Sequence, residues 1–333
     1  MNQKIKKQIN YLIKITDKIG IIEHCSFDQP NYSEGYSVDD NARALQICLR
    51  FKNQYPILEN VFPIYFNFLT SAVKDDGLYN DLDSDLKWKN NFEISGEHYG
   101  RTLAALGETI KIKSSLSLKA INLFNHIYNL FSEKKSSHHR VSAQIILGLK
   151  NYQSKDIKFW ADSLVNQYLK EKNDHWKWFE KTLSYDIGRL PLSLLTAYQI
   201  TNDPQYLNIA LESLDFLTKT TLNKRFDCFV FPGNKGWFNK LGCHVIFDQQ
   251  PIEAGSITEI YSLAFQITKN EKYRELALKS FAWYSGDNIL RANMIDSQTG
   301  GIYDGFNEKE INHNQGSESV LSYLFAYDAI QYL

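Results

Sequence analysis

Six short polar clusters recur along this chain of 333 residues, and each stands at the start of a run with helical spacing. Every cluster mixes acids or amides with aromatic residues, histidine or arginine. They are GYSVDDNARAL (35–45), SGEHYGRTLAAL (95–106), HHRVSAQIILGL (138–149), WFEKTLSYDIGRLPLSLL (178–195), DQQPIEAGSITEIY (248–261) and NQGSESVLSYLFA (314–326). Recurrence at intervals of tens of residues is typical of stacked supersecondary units. Six helices that begin in this way predict one shared polar site.

A second set of helical runs precedes the clustered helices, with apolar residues at i, i+3, i+4 and i+7. We place these runs at about 3–19, 59–74, 115–133, 154–171, 204–222 and 271–288. The chain therefore consists of six helical pairs. The clustered member of each pair is rich in small residues, such as Ala104, Ala105 and Gly148, which suits helices that pack closely on an inner ring.

The links between the helices are asymmetric in length. Those from a clustered helix to the next amphipathic helix are short, as expected of tight helical hairpins. Links in the other direction are long, notably 75–95, 223–250 and 289–314. Loops of this length in a compact domain are functional or disordered, and their many aromatic residues argue against disorder. We expect the long loops to share one face with the clusters, as the mouth of a funnel.

Composition favours a single globular unit of the size of an enzyme. Apolar residues make up 43% of the chain, and no Gly-, Ser- or Pro-rich linker divides it, so we predict a single domain over 1–333. A net charge of −1 gives no electrostatic reason to expect nucleic acid or membrane binding. The first twenty residues contain no uninterrupted apolar stretch and predict a helix instead of a signal peptide.

Several cofactor and compartment signals can be read from the same sequence. The four cysteines lie far apart without CxxC spacing, which favours a reduced, cytoplasmic location. Cys48 falls on the apolar side of the first clustered helix and is expected to be buried. The histidines show no metal-binding spacing, and no P-loop, GxGxxG or GxSxG motif occurs. We therefore expect neither a metal nor a cofactor.

Five of the quoted segments carry a family resemblance. GYSVDDNARAL, GEHYGRTLAALG, WFEKTLSYDIGRLPLSLL, DQQPIEAG and NQGSES resemble segments of the six-hairpin, (α/α)6-barrel glycosidase-like proteins, often annotated through an attached or neighbouring glycosyltransferase. The likeness runs from about Gly20 to Leu333. It implies an all-α (α/α)6 toroid, carbohydrate chemistry and association with a glycosyltransferase. Where the family has YDNAR, this chain has YDIGR at 185–189, which lacks the amide and the alanine.

Carbohydrate chemistry explains the residue types in the clusters, because sugar hydroxyls need acid, amide and arginine partners and sugar ring faces stack on aromatics. Glycoside hydrolysis requires one protonated and one ionised carboxylate. The catalytic candidates are Asp40, Glu180, Asp186, Glu253 and Glu318. A helix N-terminus favours the ionised form, which suits Asp40, Glu253 or Glu318 as the base. Aromatic neighbours desolvate Glu180 and Asp186, which suits them as the acid.

The remaining candidates would bind the substrate. They are Asp39, Asn41, Arg43, Glu97, His98, Arg101, His139, Arg140, Trp176, Trp178, Tyr185, Arg189, Trp237, Asp248, Gln249, Gln250 and Gln315, with the three tryptophans as stacking platforms. Each acid also has a structural interpretation, since Asp39 or Asp40 could cap a helix. The pairs Asp39–Arg43 and Glu97–Arg101 have the i, i+4 spacing of helical ion pairs. The arginines could equally hold these carboxylates.

Three functions compete at this stage. The first is a glycoside hydrolase that cleaves an oligosaccharide, with mannosides as one substrate class. The second is a sugar isomerase or epimerase, in which His98, His139 or His244 would be the base. The third is a non-catalytic glycan-binding module or glycosyltransferase accessory subunit, which the altered YDIGR segment supports.

Overall fold

The computed structural model describes residues 5–75, 77–89, 96–112, 116–134, 139–152 and 154–333, without the side chains of 131–134. Twelve α-helices lie in these residues, and they alternate as the sequence predicts. The first of each pair are α1 (Lys6–Lys14), α3 (Phe62–Ala72), α5 (Ser117–Lys134), α7 (Ile157–Glu171), α9 (Pro204–Thr221) and α11 (Glu271–Ala282). The second are α2 (Val38–Phe51), α4 (Glu97–Lys111), α6 (His139–Leu149), α8 (Arg189–Thr201), α10 (Pro251–Thr268) and α12 (Ser317–Ile330).

The second helices of the pairs form a closed inner ring. Each even-numbered helix packs against the next one, and α12 returns to contact α2. The odd-numbered helices lie outside and cover the apolar faces of this ring. The predicted all-α (α/α)6 toroid is confirmed. That the chain forms a single domain remains a prediction of the sequence.

Small residues set the spacing of the inner ring. A Cβ added at Gly100 of α4 would lie 2.3 Å from the Cβ of Gln144 on α6, and one at Gly148 of α6 would lie 2.8 Å from the Leu103 backbone. At Gly255 of α10, an added Cβ would lie 2.9 Å from the Ser322 carbonyl oxygen on α12. Such contacts leave no room for a larger side chain. Close packing by small residues is therefore confirmed.

The links divide the barrel into two different ends. Where the inner helices finish, here called the lower end, links such as 202–203 and 269–270 are short. Where the inner helices begin, here called the upper mouth, the links are long, including 73–96, 222–250 and 283–316. The link 135–138 is the exception, because only four residues separate α5 from α6. Residues 90–95 of one long loop and His138 of the third cluster lie outside the described residues.

Short antiparallel strand pairs order the links at the upper mouth. They are β1 (Cys25–Ser26) with β2 (Gln29–Pro30), β3 (Tyr36–Ser37) with β6 (Asp81–Leu82), β4 (Val73–Lys74) with β5 (Gly77–Leu78), β7 (Thr182–Leu183) with β10 (Phe238–Asn239), β8 (Leu222–Asn223) with β9 (Cys228–Phe229), and β11 (Gly305–Phe306) with β12 (Ile311–Asn312). The β3–β6 and β7–β10 pairs each join two different links. The rim is thus tied together by backbone hydrogen bonds as well as by side chains.

The apolar core fills the space between the two helical rings. Cys48 of α2 is fully buried in this core, as predicted. Trp160 and Trp283 are also buried in the core. Among the described residues, no helix combines the length and apolar character that a membrane span requires. The core therefore fixes the inner helices, whose first turns converge at the upper mouth.

Candidate active site at the upper mouth

A cavity of about 330 Å³ opens at the upper mouth, beside the starts of α2, α10 and α12. We call it the mouth cavity. Four carboxylates line it, from Glu23, Asp40, Asp304 and Glu318, and they are joined by the imidazole of His24. The amides of Gln250, Asn312 and Asn314 complete its polar lining. Acids and amides around one concave site provide groups that can bind hydroxyls and transfer protons.

Backbone contacts bring Glu23 to the first turn of α12. The Glu23 carbonyl oxygen accepts hydrogen bonds from the Ser317 N–H at 3.1 Å and the Ser317 hydroxyl at 3.0 Å. The Glu23 N–H donates to the Gly35 carbonyl oxygen at 3.3 Å. These bonds place the link after α1 against the last inner helix. Glu23 and Glu318 therefore line the same cavity from opposite ends of the sequence.

The Glu23 carboxyl combines a raised pKa with access to the cavity. Burial raises its pKa to about 8, and the negative charges of Asp40, Asp81, Asp39 and Glu318 act in the same direction. Its side chain is nevertheless 33% exposed, with Oε1 lying 3.6 Å from Nε2 of His24. A carboxyl group in this state is protonated at neutral pH and can donate its proton.

Glu318 lies in the opposite kind of environment. Its Oε2 accepts a hydrogen bond from Nη1 of Arg43 at 3.0 Å and a short one from the hydroxyl of Tyr185. Charge-assisted hydrogen bonds of this kind are strong and fix the orientation of the carboxyl group. The side chain keeps 32% exposure. Glu318 is therefore an oriented acceptor that a water molecule or a sugar can approach.

Asp40 and Asp304, the other two acids of the mouth cavity, are both fixed by contacts with neighbouring side chains or backbone. Burial raises the pKa of Asp40, and Glu318 adds to this, although the ion pair with Arg43 at 3.1 Å opposes it. Burial also raises the pKa of Asp304, whose Oδ1 accepts from the Gly316 N–H at 2.7 Å and the Ser319 hydroxyl at 2.6 Å. Asp304 thus anchors the start of α12 while it lines the cavity.

Beneath the mouth, four arginines cross the barrel, and we call them the arginine layer: Arg43, Arg101, Arg140 and Arg189. Arg101 is the central member, with Nη1 at 2.8 Å from Asp39 and Nη2 at 2.7 Å from Glu97. The two carboxylates come from neighbouring inner helices, α2 and α4. The layer therefore links inner helices through buried ion pairs.

Arg189 and Arg140 hold the segment before α8. Nε of Arg189 lies 3.1 Å from Asp186, and Nη2 lies 3.1 Å from Glu259 of α10. Nη2 of Arg140 lies 2.8 Å from Glu180, and Nη1 donates to the backbone carbonyl oxygen of Tyr185. The YDIGR segment is thus fixed by arginines from both sides. The segment is therefore held in one conformation by its contacts with Arg140 and Arg189.

The environments of Asp186 and Glu253 reverse the sequence-based assignment of acid and base. Burial favours protonation of Asp186, but Arg189 and Arg101 outweigh it and lower its pKa. Burial raises the pKa of Glu253 to about 8, although its oxygens accept from the backbone N–H groups of Ile187 at 3.0 Å and Asp186 at 2.9 Å. Both pKa shifts run against the sequence-based assignment, which weighed aromatic neighbours and helix starts without the arginines and the depth of burial.

The structural interpretations of the acids are resolved in part. Ser37 caps α2, since its hydroxyl accepts from the Asp40 N–H at 3.2 Å, so neither Asp39 nor Asp40 is the cap. The Glu97–Arg101 ion pair is confirmed. Asp39 pairs with Arg101 on the next helix instead of Arg43 at i+4. Contacts between inner helices therefore dominate over those along one helix.

Several predicted binding residues are buried and already hydrogen-bonded. The amide of Asn41 bridges the Ile21 N–H and the Ser37 carbonyl oxygen. The Gln249 side chain accepts from the Phe231 N–H and donates to the Ile246 carbonyl oxygen. The Gln315 side chain donates to the Asp296 carboxylate and accepts from the Thr299 hydroxyl. Nε2 of His98 lies 2.9 Å from the Leu78 carbonyl oxygen. These side chains hold the mouth links in place. The sequence pattern could not separate such anchoring groups from groups that face a ligand.

The tryptophans and the remaining polar candidates lie elsewhere. Trp176 and Trp178 are 5% and 0% exposed, so the expectation that they form stacking platforms was wrong; both belong to the core. Trp237 is half-buried in the link before α10. Asp248, in the same link, pairs with Lys235 at 3.3 Å. His139 is half-buried at the start of α6, and His244 is exposed against the ring of Phe238.

Sequence reasoning missed Glu23, His24, Asp304 and Asn314. Glu23 and His24 follow α1 and lie upstream of the first cluster, which begins at Gly35. Asp304 and Asn314 lie on the α11–α12 link, which its length had marked as functional. The available signal was the position of an acid in a long link at the upper mouth. Among the described residues, no group of three or more His, Cys, Asp and Glu side chains is arranged to hold a metal ion.

Comparisons with known proteins identify the architecture. No protein-family model and no curated protein matches the chain. A D-mannose isomerase structure has a TM-score of 0.79 at 12% identity and covers 100% of this chain and 98% of its own. The cellobiose 2-epimerase of Bacillus thermoamylovorans has a TM-score of 0.78 at 13% identity, and the match covers 99% of this chain and 98% of the epimerase.

A GH76 α-mannanase of Bacteroides thetaiotaomicron has the same architecture, with a TM-score of 0.65 at 12% identity and 98% and 94% of the two chains covered. Identities this low establish the fold and not the reaction. The chain shares the (α/α)6-barrel, glycosidase-like fold of these enzymes.

Proposed function

We propose that this chain is a carbohydrate-active enzyme and that it hydrolyses a glycosidic bond in the mouth cavity. The observation that carries the proposal is the pair Glu23 and Glu318, two accessible carboxyl groups with opposite environments in one cavity. Glycoside hydrolysis needs one protonated and one ionised carboxyl group on either side of the scissile bond. Solved structures of similar shape that act on sugars support this substrate class.

Glu23 is the proposed general acid. Its raised pKa keeps a proton available at neutral pH, and that proton passes to the glycosidic oxygen as the C–O bond breaks. Glu318 is the proposed ionised partner, which either removes a proton from the attacking water or bonds to the anomeric carbon itself. Arg43 and Tyr185 fix the direction of the Glu318 carboxylate.

The surrounding groups position the sugar. Amides of Gln250, Asn312 and Asn314 can accept from and donate to hydroxyls, as sugar binding requires. Arg43, Arg101 and Arg189 border only a small space within the barrel, so we expect the substrate to enter the mouth cavity from the upper mouth. Mannosides are one substrate class that fits, since a mannanase and a D-mannose isomerase share the fold. Asp39, Glu97, Glu180 and Asp186 then act as partners of the arginines.

A sugar isomerase or 2-epimerase is the second candidate. It is favoured by His24, which lines the mouth cavity within 3.6 Å of Glu23, and by the shape shared with an isomerase and an epimerase. In that reaction His24 would exchange a proton at C2 of the sugar. His98 is a poorer base than the sequence suggested, because the Leu78 carbonyl oxygen occupies its Nε2 and burial lowers its pKa.

A proton NMR time course in D₂O distinguishes these proposals. The protein is incubated with manno-, gluco- and galacto-oligosaccharides, with and without phosphate, and with the free sugars. Hydrolysis produces a new reducing-end anomeric signal while the C2 proton is retained. Epimerisation yields an epimer that carries deuterium at C2, whereas isomerisation yields a ketose that carries deuterium at C1; neither reaction cleaves the glycosidic bond. Line broadening without any product would favour the glycan-binding module and contradict both enzyme proposals. Association with a glycosyltransferase stays a prediction.

A further inference from the structure

We propose that the lower end of the barrel holds a second binding site, for a small neutral polyhydroxylated molecule such as a monosaccharide or a polyol. A cavity of about 460 Å³ opens there, and all six inner helices contribute to its lining. We call it the lower cavity. The proposal concerns binding only and does not depend on the reaction at the upper mouth.

The lower cavity is separate from the mouth cavity. The two share no lining residue among those described. A smaller space of about 30 Å³, which Arg43 and Arg101 border, adjoins the lower cavity, and Gln46, Gln144 and Arg189 line both. This space shares no lining residue with the mouth cavity. We therefore expect a ligand of the lower cavity to enter from the lower end.

Unpartnered polar side chains line this cavity. Gln46 of α2 and Gln144 of α6 are 9% and 5% exposed, and neither amide has a hydrogen-bond partner within the described parts of the chain. The hydroxyl oxygen of Ser262 on α10 is buried and also unpartnered there. Buried polar groups are nearly always hydrogen-bonded, and leaving one unpaired is costly. The Ser262 oxygen is such a group. The two glutamine amides line the cavity without a hydrogen-bond partner in the described parts of the chain, which indicates a polar occupant.

The charges around the cavity favour a neutral occupant. Arg50 is balanced by Glu108 at 2.6 Å and Asp328 at 3.2 Å. Lys111 and Lys150 line the cavity at the ends of α4 and α6, where the negative ends of the helix dipoles offset them. The lower cavity therefore has no large net positive or negative charge that would attract a charged ligand. Free amides and a hydroxyl are the groups that recognise the hydroxyls of a sugar or polyol.

The amide groups themselves provide the readout. The full-length protein, labelled with ¹⁵N at glutamine side chains, is titrated with D-glucose, with myo-inositol and, separately, with inorganic phosphate. Single substitutions Gln46→Leu and Gln144→Leu assign the two signals and keep the side-chain volume close to the original. The matched control is Gln205→Leu, because Gln205 is exposed on α9.

The proposal predicts saturable shifts of the Gln46 and Gln144 amides with at least one of the two neutral probes. Loss of one hydrogen bond in Gln144→Leu should weaken affinity by about tenfold, with no change in Gln205→Leu. Ser262→Ala should weaken affinity as well, and it serves if a glutamine variant fails to fold. The proposal is overturned if both amides stay unmoved by glucose and inositol, or if phosphate alone shifts them. Equal affinity of wild type and Gln144→Leu would also overturn it.

Discussion

The two ends of this barrel are made from the same six helices but present different chemistry. At the upper mouth the helices begin, and Glu23, Asp40, Asp304 and Glu318 surround a cavity beneath long, strand-tied links. At the lower end the helices finish and the links are short. Amides, two lysines and two arginines line the lower cavity, and the arginines are paired with Glu108, Asp328 and Glu259.

Helix direction accounts for much of this difference. The positive end of the helix dipole favours carboxylates where the helices begin, and the negative end favours lysines where they finish. Burial works against the dipole in the first turn of α2, where it raises the pKa of Asp40, and it also raises the pKa of Glu23 in the preceding link. The upper mouth therefore combines the raised pKa of Glu23 with the hydrogen-bonded carboxyl group of Glu318, and we propose it as the reactive end.

The largest expected effect comes from the two proposed catalytic carboxyls. Glu23→Gln and Glu318→Gln should each lower kcat by about 10²–10⁴-fold, the usual contribution of a general acid or base. Both changes preserve shape, so the thermal unfolding temperature should change little. Glu275→Gln, on the exposed face of α11, is the matched control and should turn over normally. The measurement is the initial rate of hydrolysis of the oligosaccharide that the wild type cleaves. A normal kcat in both Glu23→Gln and Glu318→Gln would contradict the proposal that the reaction takes place at the upper mouth.

The next effect concerns the layer that separates the two ends. Arg101→Met leaves Asp39 and Glu97 buried without their shared cation and should lower the free energy of unfolding by about 3–5 kcal/mol. Lys158→Met removes an exposed ion pair with Asp162 and should cost about 0–1 kcal/mol. Urea denaturation of both variants measures the contrast. Equal losses would mean that the layer is not a structural partition.

A smaller effect tests the close packing on which both cavities depend. Gly100→Ala places a Cβ 2.3 Å from that of Gln144 and should destabilise the protein by about 1–3 kcal/mol through overpacking. An alanine normally stabilises a helix interior relative to glycine, so the sign of the change is informative. A rise in the unfolding temperature would contradict tight α4–α6 packing.

The smallest effect is the pH dependence of the upper mouth. With a pKa of about 8, Glu23 is protonated below that pH, so kcat/KM should fall up to about tenfold per unit above it. For stability, the folded pKa exceeds the unfolded value of 4.5, so the contribution of Glu23 is full below about pH 4.5 and is lost as pH rises to about 8.

Glu23→Gln serves as the control for both pH profiles. In this variant the decrease in unfolding free energy between those pH values should become shallower. A pH–rate profile that stays level through pH 9 in the wild type would argue against Glu23 as the acid.

The sequence predicted the architecture because helical periodicity and small residues are local signals. Link lengths likewise indicated which end would carry the long loops. The site was harder, since Glu23 meets α12 through the Ser317 backbone, and no spacing along the chain encodes that contact. Asp186 shows the same limit, because its lowered pKa depends on Arg101 from another helix.

The most direct test of the reactive upper mouth is a crystal structure of the Glu23→Gln variant soaked with the oligosaccharide that the wild type cleaves. The variant should bind the substrate without turning it over. We predict density for the sugar in the mouth cavity, with the glycosidic oxygen within hydrogen-bond distance of residue 23 and the anomeric carbon facing Glu318. Sugar bound only in the lower cavity or on the outer helices, with the mouth cavity empty, would contradict the assignment.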